Sequence, residues 1–349
     1  MADWTAPFRS AYRIMRVSRA SGAELELVRG VVVGGSIDRN LDAAVKESGS
    51  VTLAGSLDVG SDLVRVYLDA TPLSVGSPTS VALGTFLPSV SSRSVGGATA
   101  SQTVDLAGRL RELSDEQFDE TYSLPAGSDP VAAAVDVCEG VGLQVDADPH
   151  DTYTTSQLWT FDDSQGGTKL DCVNQLLDMA GFASARTDAM GVVVMRRWRS
   201  ISDRAPSWEY VEGKNARFLR DVTDEYDVSG VANVVKAVFS DQDSVTVGIA
   251  ENLTGRFGVA EMGRRIYKRY DYNQGATQEQ ADAKAAQLLE GQSAMRRVTF
   301  EAVYAPVDID DSVRFSYRSQ GIDGTFGVRK MTLDLGAGCL TTLEVRSFG

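Results

Sequence analysis

The chain has 349 residues, of which 43% are apolar and 23% are charged, and this length predicts two or three folded domains. Its 34 basic residues face 48 acidic ones, and the net charge of −14 argues against a general basic surface that captures nucleic acid. No segment approaches the roughly 18 apolar residues of a membrane span, and residues 1–10 lack the basic and apolar regions of a signal peptide.

Residues 1–124 are predicted to form a first β domain. Segments of strand length, rich in β-forming residues, alternate with turns that contain Gly, Ser, Asn or Pro. Strands of this number and length favour a β-barrel or a sandwich. The predicted strands are residues 12–17, 24–28, 31–38, 49–55, 63–69, 80–91 and 102–107.

Two short helices are predicted after the last of these strands. Ser114 and Gln117 have the spacing of a capping box, which predicts that a helix begins at this point. Asp129 followed by Pro130 combines an N-cap with the residue preferred at the first helical position, and the apolar stripe that follows ends near Gly140.

A third helix and a hairpin complete an α/β segment. Thr168 and Asp171 form another capping-box pattern, and apolar residues then recur at helical spacing until Gly181. The next residues predict a hairpin with its turn at 188–191, where a glycine permits a positive φ. We therefore predict an α/β insertion domain over residues 125–205.

Residues 206–349 are predicted to form a second, mostly β domain with one packed helix. Thr277 and Gln280 form a capping box at the start of this amphipathic helix. The predicted strands are residues 208–212, 233–240, 244–250, 264–271, 296–305, 312–316, 324–335 and 340–347.

We predict no catalytic, cofactor-binding or metal site. The sole histidine, His150, lies in a turn-like stretch where we expect it to be solvated, and one histidine leaves too few ligands for a zinc site. Cys138, Cys172 and Cys339 match no metal or redox motif, so we expect buried free thiols. No Gly-x-Ser-x-Gly turn is present, and β sequence follows the paired glycines, which excludes a phosphate-binding loop.

Three acidic clusters have two interpretations. They could hold Ca²⁺ or act as an acid/base pair in sugar hydrolysis, but we expect solvated loop acids. The clusters are Asp162 with Asp163, residues 221–227 with Glu225, and Asp308 with Asp310 and Asp311. The last cluster is interpreted as an acidic turn that leads into a strand.

Three tryptophans also allow two interpretations. Trp159, Trp198 and Trp208 could form a platform for carbohydrate, but they lie on different predicted elements. We therefore expect them to serve packing or an interface.

The order of these elements and several stretches of sequence resemble the baseplate or tail hub proteins of tailed bacteriophages. The resemblance spans most of the chain and rests on the arrangement of elements. The stretches that resemble these proteins are residues 168–197, 198–206, 208–213, 231–235, and the region from Thr277 through residues 306–313 to the final strands.

The resemblance implies a mainly β fold, with two tube-type β-barrel domains that flank the α/β insertion. It also implies a homotrimeric ring that joins the hexameric tail tube to the tail tip. The implied partners are the distal tail or tail tube protein, tail-tip spike or receptor-binding proteins, and the tape-measure protein, and genomic DNA would only cross the lumen. The implied location is the distal end of the tail in the virion, after synthesis in the host cytoplasm.

Our leading hypothesis is therefore a structural virion protein without enzymatic activity. The acidic composition suits a lumen that repels DNA, although acidity also serves solubility alone. The alternatives are a carbohydrate-binding tail adhesin and a cell-wall glycan hydrolase.

Overall fold

The computed structural model describes residues 3–348 except 56, 59, 74–75, 95–100, 151–152, 162–165, 227–231, 242–243, 255–257 and 293. The protein is mainly β, as predicted. In the part of the chain described, no helix is both long and apolar enough to cross a membrane.

The first half of the fold contains every strand predicted for it, in an antiparallel order β2-β1-β5-β6-β7-β4-β3. Alternating side chains such as Ile14, Leu53 and Phe86 are buried between these strands and form one hydrophobic core. The strands are β1 (Phe8–Val17), β2 (Glu24–Leu27), β3 (Gly30–Asn40), β4 (Glu47–Gly55), β5 (Leu63–Pro72), β6 (Thr79–Ser94) and β7 (Ser101–Gly108).

The helical segment that follows has its own core and two of the predicted helix caps. Asp129 accepts hydrogen bonds from the first turn of its helix, and Thr168 and Asp171 form the predicted capping box. The elements are α1 (Arg111–Ser114), β8 (Ser123–Leu124), α2 (Pro130–Gly140), β9 (Val145–Ala147), β10 (Trp159–Thr160), α3 (Lys169–Met179), β11 (Arg186–Thr187) and β12 (Val193–Met195). The predicted hairpin is also confirmed, because β11 pairs with β12 in antiparallel register.

One helix start was predicted wrongly. Ser114 ends α1 instead of beginning a helix. Leu110 and Leu113 lie one turn apart and are both fully buried, so packing places the helical turn before Ser114. The capping-box pattern at Ser114 is therefore not followed by a helix.

The last part of the chain contains two separate sheets. The strands are β13 (Trp208–Val211), β14 (Phe218–Tyr226), β15 (Val234–Ser240), β16 (Val245–Glu251), β17 (Tyr267–Tyr272), β18 (Ala294–Val303), β19 (Ser312–Tyr317), β20 (Ile322–Asp334) and β21 (Leu340–Phe348), with helices α4 (Val259–Met262) and α5 (Gln278–Gln292). Six of these strands follow the order β13-β19-β20-β21-β18-β14 around a core that includes Phe300 and Phe315.

The remaining three strands form a small sheet of order β16-β15-β17, and α5 packs on one of its faces. Ala281 and Ala285 of α5 contact Ala237 and Phe239, and Gly248 leaves room for the helix backbone. The sequence predicted one packed helix in residues 206–349, and the structure packs it on the small sheet. Its buried apolar positions, Ala281 and Ala285, are small and suit a close helix–sheet contact.

The two β halves are joined edge to edge in one sheet. β20 pairs with β19 over Ile322 to Gly327, and then with β3 over Lys330 to Asp334. A register irregularity between Val328 and Lys330 marks the change of partner on β20. The result is a continuous 13-stranded sheet with one hydrophobic core in each half.

Candidate functional site

The candidate residues for catalysis or metal binding make structural contacts. His150 Nδ1 lies 2.6 Å from Asp129 Oδ2, so the imidazole contacts an N-cap and is not simply solvated as expected. Within the described ranges, no group of three or more His, Cys, Asp or Glu side chains is arranged to hold a metal ion. Asp151, Asp162 and Asp163 lie outside the described residues.

The three cysteines are buried free thiols, as predicted. Burial raises the pKa of the Cys138 and Cys172 thiols to about 12 and that of Cys339 to about 11. These thiols are protonated at neutral pH and are poor nucleophiles.

The acidic segment at 221–227 was predicted to be a loop, and the described part of it lies on strand β14. Asp224 pairs with Arg296 at 2.8 Å, and Glu225 pairs with Arg297 at 3.4 Å. Arg296 and Arg297 lie opposite on β18. Ion pairs with the neighbouring strand compensate the negative charges of these acids. Because β14 has few apolar residues, its sequence did not predict a strand.

The acids at 308–311 form the centre of an ion-pair network. Arg39 Nη1 on β3 lies 2.5 Å from Asp308 Oδ1, and Arg186 Nη1 of the hairpin lies 3.6 Å from Asp308 Oδ2. Arg204 Nη1 lies 3.0 Å from Asp310 Oδ1. We call these five residues the junction cluster.

The junction cluster joins three parts of the fold. Arg39 belongs to the first β half, Arg186 to the helical segment, and the aspartates to the loop between β18 and β19. Asp311 accepts hydrogen bonds from the Asp308 amide and from Ser207 Oγ, and burial raises its pKa. The acids at 308–311 are therefore structural, and the prediction that they are solvated was wrong. The predicted turn into a strand is confirmed, because β19 begins at Ser312.

The hairpin turn contacts the first β half through hydrogen bonds from side chains to main-chain carbonyls of the turn. Thr85 Oγ1 donates to the Ala189 carbonyl at 3.0 Å, Arg65 Nη2 donates to the Met190 carbonyl at 3.0 Å, and Arg109 Nη1 donates to the Gly191 carbonyl at 3.3 Å. Three side chains of the β half thus bind three consecutive carbonyls of the turn.

A buried glutamate completes this contact. Glu47 on β4 accepts a hydrogen bond from the Thr187 amide at 3.1 Å, and burial raises the pKa of the Glu47 carboxyl. Sequence reasoning missed Glu47 and its neighbours in the docking contact, because each lies in an ordinary strand or turn. The only sequence signal was that Glu47 is the one charged residue of its strand.

The three tryptophans lie on separate parts of the fold. Trp159 is on β10, Trp208 is on β13, and the Trp198 amide donates to the Gly181 carbonyl at 3.1 Å. They do not form one platform, which agrees with the expectation from the sequence.

Several solved structures share this arrangement over almost their whole length. A tail protein from Neisseria meningitidis MC58 matches with a TM-score of 0.69 at 12% identity, over 97% of both chains. The 43 kDa tail protein of prophage MuSo2 from Shewanella oneidensis matches with a TM-score of 0.67 at 13% identity, over 96% of this chain and 98% of that one.

A third match extends the comparison to secretion systems. It is an E. coli component of the type VI secretion system, described as similar in structure to the T4 bacteriophage tail proteins gp27 and gp5. The TM-score is 0.50 at 10% identity, over 92% of this chain and 75% of that one. This protein has the tail hub fold.

The likeness to tail hub proteins lies in the fold and not in the sequence. No protein-family model matches the chain, and no curated protein matches it at a significant level. The resemblance that we noted in the order of elements is confirmed at the level of the fold. The tail hub fold includes the helical segment as well as both β halves, because the first two matches cover nearly the whole chain.

Proposed function

We propose that the protein is a structural component of a phage tail, and that three copies form the hub at the distal end of the tail tube. The observation that supports this most directly is the tail hub fold, shared over at least 96% of the chain with two tail proteins. In this proposal the protein binds the tail tube or distal tail protein on one side and tip proteins on the other.

Exposed apolar side chains on the strands support assembly into a larger structure. Leu25 and Leu27 on β2, and Val31 and Val33 on β3, are all more than half exposed. Apolar side chains grouped on a surface mark sites of protein contact. A ring of subunits would cover them and also the open edges of β2 and β14, which would otherwise template aggregation.

The net charge supports passage of DNA through such a ring. Each chain has a net charge of −14, and a lumen lined mainly by its acidic residues would repel a DNA backbone. In our proposal the tape-measure protein and the genome cross this lumen, and the chain performs no catalysis.

The mass of the assembled protein tests this proposal. We expect native mass spectrometry of the purified chain, alone or with tail tube protein, to yield a trimer. Two-dimensional class averages of that particle should have threefold or pseudo-sixfold symmetry around an open channel. A chain that remains monomeric with and without tail tube protein would contradict the proposal.

A further inference from the structure

A cleft of about 670 Å³ lies between the helical segment and the small sheet. One wall consists of residues of β10 and α3, including Trp159 and Gln175. The other wall consists of residues at the carboxyl ends of β15 and β17, including Asp241 and Gln274. β15 and β17 are parallel, so both strands end at the same edge of the sheet. The volume is that of a small-molecule pocket.

The lining of the cleft is polar and lacks positive charge. Four described lining residues have amide side chains, three are aspartates, and none is Lys or Arg. Amides and carboxylates bind hydroxyl groups, whereas an anionic ligand such as phosphate would be repelled. The cleft is therefore suited to a ligand with many hydroxyl or amide groups.

Two of the aspartates already have cationic partners. Lys284 Nζ binds Asp178 through a short ion pair, and Arg269 Nη2 lies 2.6 Å from Asp271 Oδ1. A basic peptide would have to compete with these intramolecular pairs. A neutral hydroxyl donor can add to the remaining acceptor positions on the carboxylates without displacing them.

Gln274 lines the cleft and is largely buried, with 6% of its residue surface exposed. A side-chain amide can both donate and accept hydrogen bonds. The Gln274 side chain can therefore bind hydroxyl groups of a ligand in the cleft.

Hydrogen bonds join the two walls of the cleft, so a ligand can bind without a rearrangement of the walls. Gln157 Nε2 donates to the Asn273 carbonyl at 3.2 Å, and Ser156 Oγ accepts from the Gly275 amide at 3.0 Å. Trp159 also lines the cleft beside Leu158, whose surface is 63% exposed. An indole and an exposed leucine provide apolar area for the C–H face of a sugar ring.

We propose that this cleft binds a neutral saccharide. The amides, including that of Gln274, and the aspartates would bind its hydroxyl groups, and Trp159 would contact a ring face. The proposal does not depend on trimer formation. Its outcome is independent of the assembly test, because binding is measured on the purified full-length chain in whatever oligomeric state it adopts.

Saturation-transfer NMR with the full chain tests the proposal. The probes are maltotriose and chitotriose as neutral saccharides, trilysine as a basic peptide, and inorganic phosphate as an anion. We expect at least one saccharide to bind and neither charged probe to compete. Gln274→Leu, which keeps the side-chain size but removes its donors and acceptor, should weaken binding about five-fold or more.

Two further variants make the result decisive. Gln175→Ala changes an exposed cleft residue on α3, so it should fold normally and should also weaken binding. Gln320→Leu makes the same chemical change as Gln274→Leu on an exposed turn that does not line the cleft, and binding should be unchanged. Failure of both saccharides to bind, binding that survives both cleft variants, or displacement of saccharide by trilysine would overturn the proposal.

Discussion

At the residue scale, single side chains on the first β half determine how the hairpin docks. Arg65, Thr85 and Arg109 each donate to a carbonyl of the turn, and Glu47 accepts from the Thr187 amide. Backbone groups that are buried in such a contact must be paired, so each donor is needed to satisfy an otherwise unpaired carbonyl.

Gly191 is the most constrained residue of this contact. Its φ is +84°, and an added Cβ would lie 2.8 Å from Arg109 Cδ and 3.0 Å from Thr85 Cβ. We expect Gly191→Ala to lower the free energy of unfolding by about 2–4 kcal/mol, from backbone strain and steric overlap together. Urea unfolding followed by circular dichroism measures this change.

Gly181 provides a matched control for that measurement. Its φ is +74°, but an added Cβ would meet no atom within 4 Å. Gly181→Ala should therefore lower the free energy of unfolding by about 1 kcal/mol, from backbone strain alone. Equal effects of the two substitutions would contradict the close contact at Gly191.

Glu47 makes stability depend on pH. Burial raises its folded-state pKa above the ordinary value of 4.5. The folded state therefore binds the Glu47 proton more tightly than the unfolded state does. The resulting contribution to the free energy of unfolding is complete below pH 4.5 and is lost as the pH rises through the folded-state pKa. Glu47→Gln cannot ionise, so its free energy of unfolding should increase relative to wild type between pH 4.5 and pH 7.

Denaturant unfolding of wild type and variant at pH 4, 5.5 and 7 measures this difference. Glu26→Gln, on the exposed strand β2, controls for the removal of one negative charge. A difference between wild type and Glu47→Gln that decreases as the pH rises would refute the argument.

At the element scale, the contact between α5 and β16 decides where the small sheet lies in the fold. Gly248 faces the helix so closely that an added Cβ would lie 1.9 Å from the Ala281 carbonyl oxygen. The helix pattern itself was predictable from Thr277, Gln280 and the apolar spacing. Its partner was not, because helical periodicity identifies the buried face but not the sheet that covers it.

We expect Gly248→Val to displace α5 from the small sheet, because the overlap is with backbone atoms that cannot rotate away. Hydrogen exchange should become faster throughout α5 and remain slow in β4–β7. Gly291→Ala, near the end of the same helix and in open space, should instead raise stability by about 0.5–1 kcal/mol. Slow exchange in α5 of Gly248→Val would disprove the contact.

At the scale of the whole molecule, the junction cluster connects the two β halves and the helical segment. Asp308 contacts Arg39, whose side chain is 9% exposed, and removal of its charge would leave that buried guanidinium without its hydrogen-bonded carboxylate. We expect Asp308→Asn to lower the free energy of unfolding by about 2–4 kcal/mol. Asp323→Asn, which breaks the exposed pairs with Arg314 and Arg318, should have a much smaller effect in the same chemical unfolding experiment.

The assembly that we propose also belongs to the scale of the whole molecule. Val245, Val247 and Ile249 alternate along β16 on the face opposite α5 and are exposed. If this face contacts a neighbouring subunit, Ile249→Asp should reduce the trimer fraction in native mass spectrometry without lowering the melting temperature of the monomer. Ile249→Val keeps the apolar contact and should assemble as wild type does. Equal trimer fractions for the two variants would exclude this face from the interface.

The sequence by itself determined the local elements and the mainly β character. The strands of the first half, the caps at Asp129 and Thr168, the hairpin turn at Gly191 and the helix at Thr277 all depend on spacings of a few residues, which are visible in the chain. Strand β14 was not predicted from the sequence. The negative charges on it are compensated by Arg296 and Arg297, which are distant in sequence.

Only the tertiary structure decided how these elements combine. The pairing of β3 with β20, the ion pair of Arg39 with Asp308 and the hydrogen bond of Thr187 with Glu47 join residues separated by 140 positions or more. The cleft beside Gln274 likewise exists only where the helical segment meets the small sheet. Contacts of this kind depend on which surfaces can be buried together, and no short-range spacing in the chain encodes that choice.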